Sequence, residues 1–288
     1  MKVAFADFWW KFDEERNFFL DSLKSMSDNV ILTKDIRAAD LLIFSCFGNE
    51  HKKVDRNTTK KVYFTGENLR PPLEDCDFSL TFDYESYEGK NFRLPLWMLQ
   101  IDWWKTGGYG YTNPQFVIPL SAVELNRLRD KNKKEFCCTV FNRDHTGLRV
   151  KTLTELSSYK PVNCFGEPWN NWFYGEDNKL EVISNFKFTL CYENSTSAGY
   201  YTEKPIHART AGCIPIYWSA NEYITDFNPK GFVHLNDFDG ITSLVERVKE
   251  IDNSESLRKQ MINEPVFTQT PDIVPYVDFM QRIINEIR

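Results

Sequence analysis

The chain predicts an α/β fold in two domains, and three observations carry that prediction. Short apolar runs alternate with stretches of helical periodicity along the sequence, the pattern of a mainly parallel sheet covered by helices. The alternation breaks at a charged, helical stretch within 117–134, which contains SAVELNRLRDKNKK, and then starts again. At 288 residues the chain can bury the core of one large or two medium domains.

Taken in order, Val3–Ala6, Val30–Leu32, Leu41–Phe44, Val62–Phe64 and Phe78–Phe82 are the expected strands of the first half. Asp13–Ser25 is its clearest helix, with Phe18, Phe19 and Leu23 on one stripe. The second half gives strand Phe136–Phe141, helix Leu148–Ser157, strand Val162–Phe165 and helix Leu180–Asn185. Then comes the most informative segment, FKFTLCYENSTSAGYYTEKPIHARTAGCIPIYW, from Phe186 to Trp218. Phe186, Phe188, Leu190 and Tyr192 alternate with Lys187, Thr189 and Cys191, as in a strand. After a polar loop, Glu193–Gly199, Thr202-Glu203-Lys204-Pro205 reads as a helix start with Thr202 as N-cap and Pro205 near the first turn. That helix ends at Ala211-Gly212, and Cys213–Trp218 resumes as a strand. Strand Phe232–Leu235, helices Ile241–Ile251 and Ser254–Ile262, and a last helix Val274–Ile287 complete the pattern.

Composition narrows the function. Hydrophobic content of 42% with 26% charge is ordinary for a globular protein. A formal charge of −6 without a basic block argues against a nucleic-acid surface. No window approaches eighteen apolar residues, so neither a transmembrane anchor nor a signal peptide is expected. Seven Cys, an odd number, sit mostly in apolar strands (Cys46, Cys137, Cys138, Cys191, Cys213) and read as reduced, buried thiols. Aromatic content of 15%, with eight Trp, is high; most of it is core, and part suits the stacking of sugar rings.

The strand, loop, helix, strand unit of 186–218 is the one α/β proteins use to hold phosphorylated ligands at strand ends. Its fixed residues Glu193, Asn194, Tyr200, Thr202, Glu203, Lys204, Pro215, Tyr217 and Trp218 resemble the donor-binding signature of the α1,3/4-fucosyltransferases, glycosyltransferase family 10. Tyr63-Phe64-Thr65-Gly66-Glu67-Asn68 with Pro71, Ala39–Ser45 and Asp226-Phe227-Asn228-Pro229 resemble the bacterial members as well. The resemblance runs in order over most of the chain. It implies a GT-B fold, two Rossmann-like domains facing a central cleft. Residues 1–128 are then the acceptor-binding domain, 129–270 the GDP-fucose-binding domain, and 271–288 a helix packing back on the first. Departures lie mainly at Cys164-Phe165-Gly166, where relatives often carry paired glycines, and in the aromatic acceptor half.

The implied activity is that of an inverting GDP-fucose-dependent α1,3-fucosyltransferase, acting on a hydroxyl such as O3 of GlcNAc in a lactosamine-type glycan. Lys204 and Arg149 are the candidates for the pyrophosphate, since a leaving group that gains negative charge must be met by fixed cations when no metal does so. Arg143 competes for the role of Arg149. Asn194, Tyr200 and Glu203 complete the donor set, Glu203 as an acceptor for ribose or fucose hydroxyls. Glu67, in a tight turn after a strand, is the candidate general base. Trp9, Trp10, Asn68 and Trp97 are the acceptor candidates.

Asp237-Phe238-Asp239 and Asp75-Cys76-Asp77 have the Asp-x-Asp form that binds a divalent metal in another transferase class. The form is short and lies outside the signature, so no metal site is expected, no cofactor is required, and a divalent ion is at most stimulatory. His51, His145, His207 and His234 lack zinc-like spacing with Cys. Asn194-Ser195-Thr196 is a glycosylation sequon inside the expected site, where a glycan would block it. A bacterial or viral-type enzyme of the cytoplasm, or peripheral at the inner membrane face, fits better than a Golgi one. The alternatives are a GT-B transferase with another nucleotide-sugar donor and a catalytically silent glycan-binding protein.

Overall fold

The computed structural model describes residues 1–105, 118–124, 133–166 and 179–287. The chain divides into two compact units, one of Met1–Val117 with Asp272–Arg288 and one of Ile118–Pro271. Of the charged stretch 117–134, residues 118–124, with a short helix, and two lysines, Lys133 and Lys134, are described, and the rest lies outside the described residues.

The first unit is built on a six-stranded sheet. Its strands are β1 (Lys2–Ala6), β2 (Ile31–Leu32), β3 (Leu41–Phe44), β4 (Lys60–Phe64), β5 (Phe78–Thr81) and β6 (Asn91–Arg93), in the order β2-β1-β3-β4-β5-β6. Every pairing is parallel. Parallel sheets are covered on both faces, and Leu41 to Phe44 are accordingly all 0% exposed. Helix α1 (Phe18–Met26) starts later than periodicity suggests. Asn17 Oδ1 accepts the Leu20 N–H at 2.9 Å, whereas Asp13 takes the N–H groups of Glu15 and Arg16 in a turn before the helix. A helix of the sequence's far end, Val274–Ile287, packs on this unit through Tyr276 against Phe18 (ring centroids 5.1 Å) and Phe92 (5.8 Å). Arg282 donates to the Gly89 carbonyl, and Lys60 pairs with Glu286 at 3.2 Å.

The second unit holds helices α2 (Leu120–Glu124), α3 (Leu148–Tyr159), α4 (Lys179–Ile183), α5 (Lys204–Thr210), α6 (Ile241–Asn253) and α7 (Glu255–Asn263); the helix Val274–Ile287 of the first unit is α8. Its five strands are β7 (Glu135–Val140), β8 (Val162–Phe165), β9 (Phe186–Leu190), β10 (Ile214–Tyr217) and β11 (Val233–His234), ordered β11-β10-β9-β7-β8 and again all parallel. Phe188, Leu190, Ile214, Ile216, Leu244, Val248 and Ile251 form its core. A buried carboxylate, Asp252, locks α6 to its neighbours by accepting from Lys160 (2.5 Å), Lys187 (2.7 Å) and the Tyr159 hydroxyl (3.1 Å).

The two sheets share one winding order. In each, the first strand of the unit lies between the second and the third, so the chain reverses its direction of winding beside that first strand. Doubly wound sheets bind ligands outside the carboxyl ends of the strands at such a reversal. These points are β1/β3 in the first unit and β7/β9 in the second. The expected α/β class with two parallel sheets is thus the observed one.

Candidate active site

At the β7/β9 reversal, two loops meet through one guanidinium. After β7 the chain passes Phe141–Gly147 and enters α3, whose first turn carries Arg149. Asp144 serves as the cap that Gly147 lacks, accepting the N–H groups of Gly147 (3.0 Å) and Val150 (2.9 Å). Gly166, just past β8, has φ +121°, and a Cβ there would lie 2.2 Å from the Phe141 carbonyl oxygen, so only glycine fits.

Arg149 is 4% exposed. Its Nη1 donates to the Arg143 carbonyl at 2.5 Å, and its Nη2 donates to the Tyr192 carbonyl at 2.5 Å and to Asn194 Oδ1 at 2.6 Å. The guanidinium also lies 5.2 Å from the centre of the Phe141 ring. It therefore ties the loop after β7 to the loop after β9. Arg143, the competing cation, has an exposed side chain.

The loop after β9 is closed by Glu193, whose side chain is 0% exposed. Glu193 accepts from the Thr202 N–H (2.9 Å), the Thr202 hydroxyl (3.0 and 2.8 Å to its two oxygens), the Tyr217 hydroxyl (2.8 Å) and the Lys204 ammonium (3.0 Å). Thr202 is thus not the N-cap of α5: its hydroxyl is directed at Glu193, and Glu203 takes the cap position without a side-chain bond. Glu203 Oε1 lies 3.9 Å from Lys204 Nζ. Tyr200 is 4% exposed, its N–H on the Ser197 carbonyl at 3.0 Å.

Charge is tightly managed here. Burial opposes the Glu203 carboxylate, but Lys204 and Lys179 outweigh it and hold the group down at about 2. Burial likewise pulls on Lys204, yet Glu193 and Glu203 leave its pKa above the ordinary lysine value. Lys179, with burial and Lys204 against it, is lowered. The arrangement offers two fixed cations, a carboxylate that stays ionised and an amide at one ligand-binding edge. Sequence reasoning misses Lys179 and gives Glu193 no role beyond its place in the signature; a carboxylate three residues past the buried strand β9 is the signal that marks Glu193.

In the first unit, Glu67 lies just past β4 on the carboxyl edge of the sheet, with its side chain exposed. The buried Thr65 hydroxyl accepts the Glu67 N–H at 3.0 Å, and the Glu67 carbonyl accepts the Leu69 N–H at 2.8 Å. The backbone is pinned and the carboxylate is left to project. Asn68 beside it is half-buried. Trp10, in the loop after β1 on the same edge, is 82% exposed, with Lys11 Nζ 4.3 Å from its ring centre. Trp9 packs on Phe8 (5.4 Å) and Phe12 (5.1 Å), and Trp97 is buried at 4% exposure. Of the four acceptor candidates, Trp10 is thus exposed, Asn68 and Trp9 are half-buried, and Trp97 is buried.

Neither Asp-x-Asp stretch forms a cage. Asp77 accepts the Lys61 N–H at 2.8 Å and pairs with Arg56 at 3.2 Å, while Asp237 and Asp239 are exposed. Among the described residues, no three of His, Cys, Asp or Glu lie together as a metal centre. No helix among them is long and apolar enough to cross a membrane.

Comparisons with known proteins agree with the fold. Residues 3–100 match the model of the α-(1,3)-fucosyltransferase FucT N-terminal domain, and residues 129–261 match that of the glycosyltransferase family 10 (fucosyltransferase) C-terminal region. The α-(1,3)-fucosyltransferase FucT of Helicobacter pylori is 27% identical, over 92% of this chain and 60% of the relative; the chain spans little more than half of that protein. A crystal structure of an α1,3-fucosyltransferase superposes with a TM-score of 0.77 at 26% identity, covering 99% of this chain and 90% of the other. One with GDP-fucose has the same fold, with a TM-score of 0.74 at 24% identity over 98% and 90%.

Proposed function

Because the chain belongs to glycosyltransferase family 10 and has the GT-B fold of two parallel α/β units, we propose that it is an inverting α1,3-fucosyltransferase that uses GDP-fucose. The observation that carries this reading is the set of Arg149, Asn194, Glu203 and Lys204 at the β7/β9 reversal, where a doubly wound sheet takes a nucleotide. A solved relative of the same fold holds GDP-fucose.

In this reading Arg149 and Lys204 carry the pyrophosphate. Bond breaking at the anomeric carbon leaves two electrons and a growing negative charge on the β-phosphate oxygen. Fixed cations stabilise that charge more in the transition state than in the bound donor. Asn194 and Tyr200 contribute to the nucleoside-diphosphate pocket. Glu203, held ionised, accepts hydrogen bonds from sugar hydroxyls, of the ribose or of the fucose. Glu67 takes the proton of the acceptor hydroxyl as its oxygen attacks the fucose carbon from the face opposite GDP, through an oxocarbenium-like transition state. Configuration inverts, and the products are the fucosyl glycan, GDP and the Glu67 proton.

The acceptor is a lactosamine-type glycan with O3 of its GlcNAc as nucleophile, giving a Lewis-type product. Trp10 offers a flat face to the sugar C–H surface and Asn68 a polar edge, with Trp9 and Trp97 as the further acceptor-side candidates. No metal is required, because Arg149 and Lys204 supply the positive charge. Seven free thiols suit the reducing cytoplasm or its membrane face. Incubation with GDP-fucose and N-acetyllactosamine, lacto-N-biose or lactose, followed by NMR of the products, tests the reading. A β-configured fucoside, or transfer only from another nucleotide sugar, refutes it.

A further inference from the structure

The mechanism above leaves unused a carboxylate buried in the donor loop itself, and its surroundings say what it does. Glu193 joins the start of the donor loop to its end: five contacts reach it from the Thr202 backbone, the Thr202 hydroxyl, Lys204 and Tyr217 of β10. The Lys204 ammonium spends two of its three protons on this frame, one on Glu193 Oε2 at 3.0 Å and one on the Thr202 hydroxyl at 2.9 Å. With two N–H directions fixed, tetrahedral geometry fixes the third. A free lysine chain samples many rotamers; this one is preset.

We propose that Glu193 is a positioning residue, which aims the remaining Lys204 N–H at the diphosphate of the donor without touching the ligand itself. The inference rests on the reading of Lys204 as a diphosphate contact. A carboxylate with no exposure is retained only when its partners compensate the lost hydration. Here the partners are the end of the donor loop and the strand beside it, so the same bonds that keep Glu193 charged hold Lys204 in register. Preorganised charge of this kind costs no rearrangement when the leaving group departs. Tyr217, buried beside Glu193, has its phenol pushed well above the ordinary value by that burial and by the carboxylate, which keeps it a donor to Oε1.

The test compares GDP with guanosine, which lacks the diphosphate, by calorimetry and ligand-observed NMR. Glu193→Gln keeps the shape and removes the charge. It is expected to weaken GDP on the order of ten-fold, the loss of one charge-assisted contact, and to leave guanosine unchanged. Thr202→Val removes the second acceptor of Lys204 with little change in volume. It should show the same selective loss at several-fold, and it decides the matter if the glutamine variant does not fold. Equal losses for GDP and guanosine would mean that Glu193 only holds the loop together, and unchanged or tighter GDP binding would mean that Lys204 needs no aiming; either overturns the proposal. Wild-type protein that binds guanosine and GDP equally well refutes instead the assignment of Lys204 to the diphosphate.

Discussion

Replacing Arg149 by alanine should damage ligand binding and the fold of the second unit in one variant, by amounts that can be worked out separately. On the fold side, the guanidinium donates to two carbonyls and one amide across two loops. The bond to the Arg143 carbonyl is only part-buried, so water can replace it. The Tyr192 carbonyl bond is buried, and a buried polar group that loses its partner costs about 1–3 kcal/mol. Loss of the guanidinium's contact with the Phe141 ring adds to this, which sets the expectation at about 3 kcal/mol. At about 2–4 °C per kcal/mol for a unit of this size, Tm falls by roughly 6–12 °C. On the ligand side, one charge-assisted contact to phosphate is worth about 1.5–3 kcal/mol, so GDP should bind roughly ten-fold to a hundred-fold more weakly. Arg149→Lys keeps the charge but cannot fork between Tyr192 and Asn194, so it should recover part of the GDP affinity and little of the Tm. Scanning calorimetry and GDP titration well below the melting point give both numbers. A fall in Tm with unchanged GDP affinity refutes the phosphate role, and a fall in affinity with unchanged Tm refutes the clamp.

Four further outcomes are expected. Glu67→Gln should leave GDP-fucose affinity near wild type while kcat drops on the order of 10²-fold or more, measured by steady-state transfer with isothermal titration; near-normal kcat removes Glu67 from the mechanism. Trp10→Ala should raise the acceptor KM several-fold and leave donor hydrolysis without acceptor unchanged, since the ring is exposed and supports no core. EDTA should spare most transfer, and complete loss that is restored by metal and abolished in Asp237→Asn would promote the Asp-x-Asp reading. Asp252→Asn should lower Tm by several degrees at neutral pH. Burial opposes the Asp252 charge but the Lys160 and Lys187 bonds prevail and depress its pKa, so its stabilisation is present above the ordinary carboxylate value near 4 and fades as pH falls through the depressed one. The gap between wild type and Asp252→Asn should therefore close below about pH 4, in melts run across that range.

Legibility varied with the kind of physics involved. The buried run Leu41–Phe44 and the periodic stretch Val274–Ile287, which buries Tyr276, Met280, Ile283 and Ile284, appear with the expected bounds because burial decides them. The edge strand Val162–Phe165 also keeps its bounds, although none of its residues is fully buried. Strand β6 was not expected. It is a short edge strand, and Asn91 at its start is secured by side-chain bonds, accepting from the Ser79 and Thr81 hydroxyls at 2.9 Å each; no hydrophobic period records such bonds. Helix α1 shifted because two side chains, Asp13 and Asn17, compete to cap the same segment, and only geometry decides between them. In the site, the residues named from the motif gather around the loop after β9, but the motif could not tell ligand contact from support. Glu193 owes its burial to Tyr217, 24 residues further on, a separation at which no local pattern operates. Lys179 escaped notice for the same reason, since its link to Glu203 exists only once α4 and α5 have packed.

The first unit is interrupted in sequence by the second, and this orders events during synthesis. Tyr276, Met280, Ile283 and Ile284 of α8 are buried, yet the ribosome reaches them only after all of Ile118–Pro271 has been made. At about 5–20 residues per second, the strands already emerged wait roughly ten to thirty seconds for that helix. During the wait, the rings of Phe18, Phe78 and Phe92 that later meet α8 stay uncovered and open to chaperones or to wrong partners. The unit made first is thus the one finished last, and substitutions in α8 should reveal themselves as poor yield of nascent protein before they register as slower turnover.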